Sequence, residues 1–371
     1  MPHVLLVIDQ LASGGAPRSV LKLTRALLES HIRVSLISLS DRVGLPIPEG
    51  AECHVVAFTP STRWEKLHRY KIHARRLDDF LSSHMTPLDL VVSNLHQAHQ
   101  VVSRSSLAKQ AWYCLRSDPW QELLSNKRGW RRQLKRHKVR RLYDNKRIIA
   151  LSRTNLESLD RIGSQPDATR VIPNVLEVER IHKLMEESVA EPALQDTGFC
   201  LFVGRLNFRQ KRLDRLLEGY LASGIELPLV LIGDGESKRL QQEVTRLDLQ
   251  DRVWALGSRD NPYPYMKRAS ALLLSSDYEG LPNVLLESLA CGTPVVSTDC
   301  LSGPRDILVG DLARGLVPLE DTEAFGKAIR DVIDHSPSIE PNHISPYMPE
   351  TVSAAYHELI GEGPCKRHSG F

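Results

Sequence analysis

The sequence predicts an α/β protein made of two doubly wound domains, each a parallel sheet with helices on both faces. Short strands rich in Val, Ile and Leu alternate with amphipathic helical stretches along nearly all of the 371 residues. The pattern runs once through the first half and starts afresh near Cys200. Between the two runs lies "MEESVAEPALQDTG" (185–198), acidic, with Pro and Gly and no strand period, which reads as a linker. A chain of this length is long for one domain and comfortable for two.

In order, the first run opens with "HVLLVI" (3–8), a Gly14–Gly15 turn, and a helix from about Pro17 to Ser30, where Pro17 suits the first helical position. Strands "VSLISL" (34–39) and "CHVVAF" (53–58) follow, then a helix near 63–83, strands "LDLVVS" (88–93) and "AWYCL" (111–115), one long basic helix, and strand "RIIALS" (147–152). The second run holds "CLFVG" (200–204), a helix near 211–223, "PLVLIG" (228–233), a helix near 237–247, "RVWALG" (252–257), "ALLLSS" (271–276), a helix near 283–291 and "PVVST" (294–298). The domains are expected at 1–190 and 191–344, with 345–371 left as a terminal segment.

Composition narrows the class. Charged residues at 25% and hydrophobic residues at 42% are ordinary for a soluble globular protein. No apolar run approaches the roughly 20 residues that span a bilayer, and "MPHVLLVIDQL" lacks the basic start of a signal peptide, so a cytoplasmic location is expected. The six cysteines (Cys53, Cys114, Cys200, Cys291, Cys300, Cys365) have no CxxC spacing and read as buried free thiols. Residues 1–195 hold 30 Lys and Arg against 20 Asp and Glu, and the remainder hold 18 against 25, so a half at +10 is joined to one at −7. The basic half is expected to face something anionic.

Ligands of open α/β sheets bind beyond the carboxyl ends of the strands, so the turns there carry the chemistry. Gly14 and Gly15 let backbone approach a ligand closely, with a tight turn chosen for geometry as the alternative; the stretch is not GxGxxG, which makes a dinucleotide fingerprint a weak reading. In "FVGRLNFRQKRLDRLL" (202–217), Arg205 stands at a strand tip and Lys211 at the start of the next helix. Two such cations can converge on a diphosphate, Arg through its planar fork and Lys as a point charge, whereas Arg209 and Arg212 read as solvated. In "ALLLSSDYEGLPN", Pro282 opens a helix whose first amides, about Asn283 to Leu285, would favour a phosphate. Glu279 precedes that helix, and Glu287 lies one turn inside it, where a carboxylate on an apolar face needs partners such as ribose hydroxyls.

With these residues in hand, the chain resembles a retaining GT-B glycosyltransferase of glycosyltransferase family 4. The resemblance rests on "GGAPRSVLKLTRALL" (14–28), "VIPNVLEVERI" (171–181), "VGRLNFRQKRLDRLLEGY" (203–220), "LVLIGDGESKRL" (229–240) and "SDYEGLPNVLLESLACGTPVVSTDCLSGPRDIL" (276–308). It implies two Rossmann-like domains facing across a cleft, with "SPYMPETVSAAYHELI" (345–360) as a final helix returning to the N-terminal domain. It also implies catalytic roles for Arg205, Lys211 and Glu279, with Arg205 and Lys211 on the donor diphosphate, Glu279 and Gly15 near the transferred sugar, and Glu287 on the ribose. Gly280, Leu281, Asn283 and Val284 join them at the donor, and Ser258 and Arg259 meet the base. His96 in "SNLHQAHQ", or alternatively Arg116, would contact a sugar or the acceptor. The chain departs from the family pattern at 174–177, where "NVLE" replaces Asn-Gly-Val-Asp, and at Pro17, where Glu is frequent.

The implied activity is transfer of a hexose or N-acetylhexosamine from a nucleotide sugar, UDP-linked by expectation, to a surface glycan or glycolipid, with retention. No DxD-like pair stands at a nucleotide-binding strand end, so neither metal nor cofactor is expected. A nucleotide-sugar epimerase on the same fold and a non-catalytic basic membrane- or RNA-binding protein are the alternatives. Residues 120–147, with 11 Lys and Arg interleaved with Trp120, Trp130, Leu134, Val139, Leu142 and Tyr143, suit an anionic membrane surface more than nucleic acid. They would place the protein peripherally on the cytoplasmic face of the inner membrane; a solvated helix face is the alternative.

Overall fold

Burying the apolar runs produces two separate parallel sheets in the computed structural model, which describes residues 1–12, 14–195 and 197–362. Cys365 and the tail beyond residue 362 lie outside the described residues. Two compact units result: unit 1 is Met1–Val175 joined by the C-terminal helix Pro349–Gly361, and unit 2 is Leu176–Met348.

The sheet of unit 1 contains β1 (His3–Ile8), β2 (Arg33–Ser38), β3 (Glu52–Val55), β4 (Leu90–Asn94), β5 (Ala111–Leu115), β6 (Arg147–Ala150) and β7 (Ala168–Val171). Their order is β3-β2-β1-β4-β5-β6-β7, all pairs parallel. The order reverses between β1 and β4, whose ends Ile8 and Asn94 are register partners. Strands β1, β4, β5 and β6 are buried along their whole length, which is why they read as unbroken apolar runs. The terminal helix Pro349–Gly361 packs on the helix Gly15–Glu29, with Ser30 Oγ 2.8 Å from Ser353 Oγ.

Unit 2 contains β8 (Cys200–Val203), β9 (Leu229–Ile232), β10 (Val253–Gly257), β11 (Ala271–Leu274), β12 (Val295–Thr298) and β13 (Leu316–Val317), in the order β10-β9-β8-β11-β12-β13. Here the order reverses between β8 and β11. The helix Thr322–Asp334 covers one face against the helix Leu213–Ser223, and the two meet closely at glycines: a Cβ at Gly219 would come 2.5 Å from the Phe325 ring.

Several elements differ from the sequence reading. The stretch 185–198 is no free linker among its described residues. Val189 and Leu194 are buried, Lys267 pairs with Glu186 at 2.7 Å, and Arg259 pairs with Glu191 at 2.7 Å. These contacts tie the segment into unit 2, as does the preceding helix Val178–Leu184, where His182 Nε2 lies 3.0 Å from the Ala290 carbonyl. The basic stretch is two helices, Pro119–Leu123 and Gly129–Tyr143, broken over residues 124–128, with a left-handed φ of 54° at Gly129 where the second helix begins. Its Val139, Leu142 and Tyr143 face the core, so only Trp130 and Leu134 of the apolar set are exposed. The first helix starts at Gly15, two residues before Pro17. The five described cysteines are free, and all except the half-buried Cys53 are buried. No helix among the described residues is long and apolar enough to cross a membrane.

Candidate functional site

In unit 2, β8 and β11 flank the point of strand reversal, where an open α/β sheet leaves a crevice beyond its strand ends. The loops after these strands carry Arg205, Lys211 and Glu279. Close packing fixes the first loop. Leu206 N donates to Asp234 O at 2.8 Å, and Glu236 N donates to Leu206 O at 2.7 Å. A Cβ at Gly233 would sit 1.9 Å from Gly204 O, and one at Gly235 would sit 2.2 Å from Leu206 O, so both positions require glycine.

The loops after β8 and β11 are laced together. Asp277 N donates to Gln210 O at 2.8 Å, Gln210 Nε2 to Tyr278 O at 3.1 Å, and Ser275 Oγ to Lys211 O at 2.7 Å. Across this seam Lys211 Nζ meets Glu279 Oε1 at 2.7 Å, with both side chains largely buried. Ser276 Oγ donates to the same oxygen at 2.6 Å. Arg205 stands exposed at the β8 tip and, among the described residues, makes no hydrogen bond or ion pair.

Arg212, expected to be solvated, is instead a clamp. It adopts a left-handed φ of 48° and bonds Asp214 at 3.0 Å and Asp277 at 3.2 Å. The bond to Asp214, the largest influence, outweighs burial and, with a lesser push from Asp277, holds its guanidinium pKa above the ordinary arginine range. Asp277 also pairs at 2.9 Å with the buried Arg215, which donates to Ser275 O and reaches Glu320.

Pro282 caps the next helix, Asn283–Ala290, and does not open it. Leu285 N donates to Pro282 O at 3.0 Å, so this amide is already engaged. Gly280 and Leu281 are buried in the turn, Asn283 and Val284 are half-buried on the first helical turn, and Glu287 lies half-buried one turn on. Gly303, at φ 105°, packs on this turn so closely that a Cβ would come 2.4 Å from Pro282 Cδ. Beyond β10, Ser258 N donates to Asp234 Oδ1 at 3.2 Å, while the Arg259 guanidinium turns to Glu191 and the Leu256 carbonyl.

A second cluster lies at the corresponding reversal in unit 1. Asp9, just past β1, accepts from Ala98 N at 2.6 Å and Gln97 N at 3.2 Å, anchoring the start of the helix His96–Val102. Burial raises its carboxyl pKa to about 6. Leu95, between β4 and this helix, is held at a left-handed φ of 74°. Arg116, past β5, donates to Asn94 Oδ1 at 3.0 and 2.9 Å and to Asn174 Oδ1 at 2.5 Å. His96 and Arg116 line one pocket with Leu95, His99, Glu122 and Tyr143. Burial, with Lys135, Arg69 and Arg104 nearby, lowers the His96 pKa to about 4 and keeps the ring neutral. Its Nδ1 is buried with no hydrogen-bond partner among the described residues. His99, bonded to Tyr143 Oη and the Ser93 carbonyl at 3.1 Å each, is lowered by burial to about 3. Gly14 has φ 106°, and a Cβ at Gly15 would meet nothing within 4 Å.

Thus the structure brings Lys211 and Glu279 into direct contact, places Arg205 on the same loop as Lys211, and puts His96 with Arg116; Arg259 is turned to partners of its own. Sequence reading missed Ser276, Asp277, Asn94 and Asn174. Asn94 ends β4 and Ser276 lies two residues past β11, at the two reversals, a position that could have marked them.

Comparison with known proteins agrees with this fold. Residues 13–180 match Glycosyltransferase Family 4, and residues 198–335 match Glycosyl transferases group 1. Among relatives, the N-acetylgalactosamine-N,N'-diacetylbacillosaminyl-diphospho-undecaprenol 4-alpha-N-acetylgalactosaminyltransferase of Campylobacter jejuni is 29% identical over 342 residues, 90% of this chain and 91% of that protein. An uncharacterized glycosyltransferase of Methanocaldococcus jannaschii is 34% identical over 173 residues, 44% of this chain and 42% of that protein. The lipopolysaccharide 1,6-galactosyltransferase of Escherichia coli K12 is 29% identical over 218 residues, 57% of this chain and 59% of that protein. The chain therefore spans nearly all of the first of these, but about half the length of the other two. The fold matches Anabaena HepE, solved in complex with UDP and glucose, with a TM-score of 0.74, 19% identity, and coverage of 97% of this chain and 99% of that one. With two Rossmann-like sheets, and with the two family matches following one another along the chain, the second containing the β8 and β11 loops, the chain belongs to the GT-B glycosyltransferases of group 1, family 4.

Proposed function

We propose that this protein is a retaining, metal-independent glycosyltransferase that moves a hexose or N-acetylhexosamine from a UDP-linked donor to a lipid-linked or lipopolysaccharide-type acceptor. The observation that carries this reading is the exposed Arg205 beside the Lys211–Glu279 pair, on the two loops that flank the β8–β11 reversal. A relative named for acting on a diphospho-undecaprenol glycan and another named for lipopolysaccharide galactosyl transfer support the acceptor class. A structural neighbour solved with UDP and glucose supports the donor class.

Departure of a nucleoside diphosphate builds charge on the leaving oxygens. Arg205, at the tip of β8, and Lys211, held by Glu279 before the donor arrives, stabilise that charge, and removal of one such donor typically costs about 2.7–4 kcal/mol of transition-state stabilisation. Binding of a diphosphate engages Lys211 and leaves Glu279, held by Ser276, to meet the donor sugar. Glu287 takes the ribose, while the start of the helix Asn283–Ala290, with Gly280 and Leu281, closes on the phosphates. Ser258 and Arg259 meet the base, Arg259 after release from Glu191. Gly15 leaves open space for close approach of the sugar, and His96 or Arg116 meets a sugar hydroxyl. Retention follows from front-face attack, with the leaving phosphate accepting the acceptor's proton. The basic stretch 120–147 meets an anionic membrane on the cytoplasmic face, where a lipid-linked acceptor lies.

Arg205→Ala and Lys211→Ala are each expected to lower turnover by about 100-fold or more with unchanged circular dichroism, and a chelator is expected to leave turnover unchanged. Near-wild-type turnover in either variant would remove the diphosphate assignment; inhibition by chelator would remove metal independence.

A further inference from the structure

Buried polar atoms almost always have a hydrogen-bond partner, so one without a partner calls for an explanation. Among the described residues, His96 Nδ1 is such an atom. It belongs to the unit 1 pocket that Arg116 also lines, and the neighbours of His96 are more fully engaged. Arg116 commits Nε, Nη1 and Nη2 to the side-chain carbonyls of Asn94 and Asn174. His99 has a partner on each ring nitrogen, Tyr143 Oη and the Ser93 carbonyl. His96 has a partner on Nε2 alone, the side-chain Nε2 of Gln100 at 3.4 Å.

Which end of the Gln100 amide faces His96 is decided one side chain further out. Arg104 Nη1 donates to Gln100 Oε1 at 2.9 Å and to the Gln100 main-chain carbonyl at 2.6 Å. A guanidinium only donates, so the side-chain atom it meets is the amide oxygen. The amino end is therefore turned to His96. An amino group also only donates, so His96 Nε2 is the accepting, unprotonated nitrogen. A neutral imidazole with its lone pair on Nε2 carries its proton on Nδ1. The same contact excludes an imidazolium, whose Nε2–H would oppose the Gln100 amino group. Burial, then Lys135, Arg69 and Arg104, act in the same direction.

The ring is also held in place. His96 opens the helix His96–Val102, and Asp9 fixes that turn through the amides of Gln97 and Ala98. Gln100 is four residues on and so stands beside His96 on the helix surface. Arg104 is four further on, just past the helix end.

We infer that Gln100, its amide turned by Arg104, is a positioning residue that fixes His96 in the Nδ1–H form and so gives the pocket one neutral hydrogen-bond donor. This deepens the sugar contact proposed for His96 and rests on it. The ligand atom that suits such a donor is an uncharged oxygen acceptor, as on a hydroxyl or an N-acetyl group. With the proton on Nε2 instead, a lone pair would face that oxygen, and the ligand would have to supply the proton itself.

The test is a long-range proton–nitrogen correlation spectrum of the full chain with ¹⁵N-labelled histidine at about pH 8, above the ordinary range of imidazole. His96 is assigned by the signals lost in His96→Gln. The wild type is expected to show Nδ1 protonated and Nε2 bare. Gln100→Lys still donates and is expected to keep that form; Gln100→Glu accepts and is expected to bring a proton to Nε2. Hydrolysis of UDP-glucose and UDP-N-acetylglucosamine is followed on the same proteins. Gln100→Glu is expected to lower kcat/KM about fivefold, the range of one hydrogen bond, with unchanged circular dichroism, and Gln100→Lys to stay near wild type. A protonated Nε2 in the wild type, or a bare Nε2 in Gln100→Glu, overturns the inference. So does turnover that falls in His96→Gln but not in Gln100→Glu. Absence of turnover from the wild type on both sugars counts against the proposed transfer activity, and the ring spectra then decide the inference by themselves.

Discussion

Arg212 shows how one residue beside a candidate catalytic lysine is held in place. A left-handed conformation costs a non-glycine residue roughly 1–2 kcal/mol, and here Asp214 and Asp277 offset that cost through charge-assisted bonds at 3.0–3.2 Å. Asp277 is the shared anion, since it also faces the buried Arg215 at 2.9 Å. Asp277→Asn keeps the shape and removes the charge. Because Asp277 is itself one-third exposed, we expect a loss of about 2 kcal/mol in urea unfolding, with a several-fold rise in donor KM as the Lys211 loop loosens. A loss below about 0.5 kcal/mol would mean that the Ser275 carbonyl and Glu320 satisfy Arg215 by themselves. The carboxylates lie 65 residues from Arg212 and two from it, and only the second separation is visible as a local pattern. Lys211 and Glu279 were legible as separate residues at strand ends, but their pairing needed the fold.

Among elements, the strands with unbroken Val, Ile and Leu runs were legible because both faces are buried. The edge strands β7 and β13 were not. β7 reads "ATRV" with three exposed residues, and β13 has two residues, so neither carries an apolar signature. The break in the basic stretch was also hidden: charge periodicity suggested one helix, while residues 124–128 interrupt it ahead of the left-handed Gly129. Glycines sort by cause at this scale. At Gly233 the obstacle to a side chain is backbone, Gly204 O at 1.9 Å, so Gly233→Ala must open the seam between the loops after β8 and β9. We expect a cost of about 3 kcal/mol, read as a lowered denaturation midpoint at unchanged m. At Gly15, on the first turn of a helix, a Cβ meets nothing within 4 Å. Gly15→Ala is therefore expected to leave stability unchanged or to raise it by up to about 1 kcal/mol, while lowering transfer. Unchanged transfer would return Gly15 to the role of turn geometry.

At the scale of the molecule, the two units differ in their response to acid. Burial first, with neighbouring cations in part, lowers the pKa of His3, His73, His96 and His99, all in unit 1. Each is neutral in the folded chain but takes a proton near 6.5 when unfolded, so its contribution is present above pH 6.5 and is lost as pH falls. Asp9 runs the other way: raised to about 6, it adds stability as pH drops from about 6 towards 3.8. At pH 5, His96 and His99 each cost about 2 kcal/mol, and one carboxyl about a unit below its own midpoint returns about 1.4 kcal/mol, only a part of their sum. In unit 2 the shifted carboxyls Glu191 and Asp214 have lowered pKa values, so what they contribute is retained until the pH falls below about 4.5. Acid between pH 6.5 and 5 therefore acts on unit 1, whereas UDP, on the proposed reading, binds β8–β11 in unit 2 and stabilises it by about 2.7 kcal/mol at 100 times its Kd. Scanning calorimetry at pH 7 and pH 5, with and without UDP, is expected to show an early component that moves down with acid and a separate component that moves up with UDP. His99→Gln is expected to flatten the acid response of the first and leave the second unmoved. If acid and UDP shift the same component, the units unfold as one, and the acid effect on unit 1 reaches the donor loops.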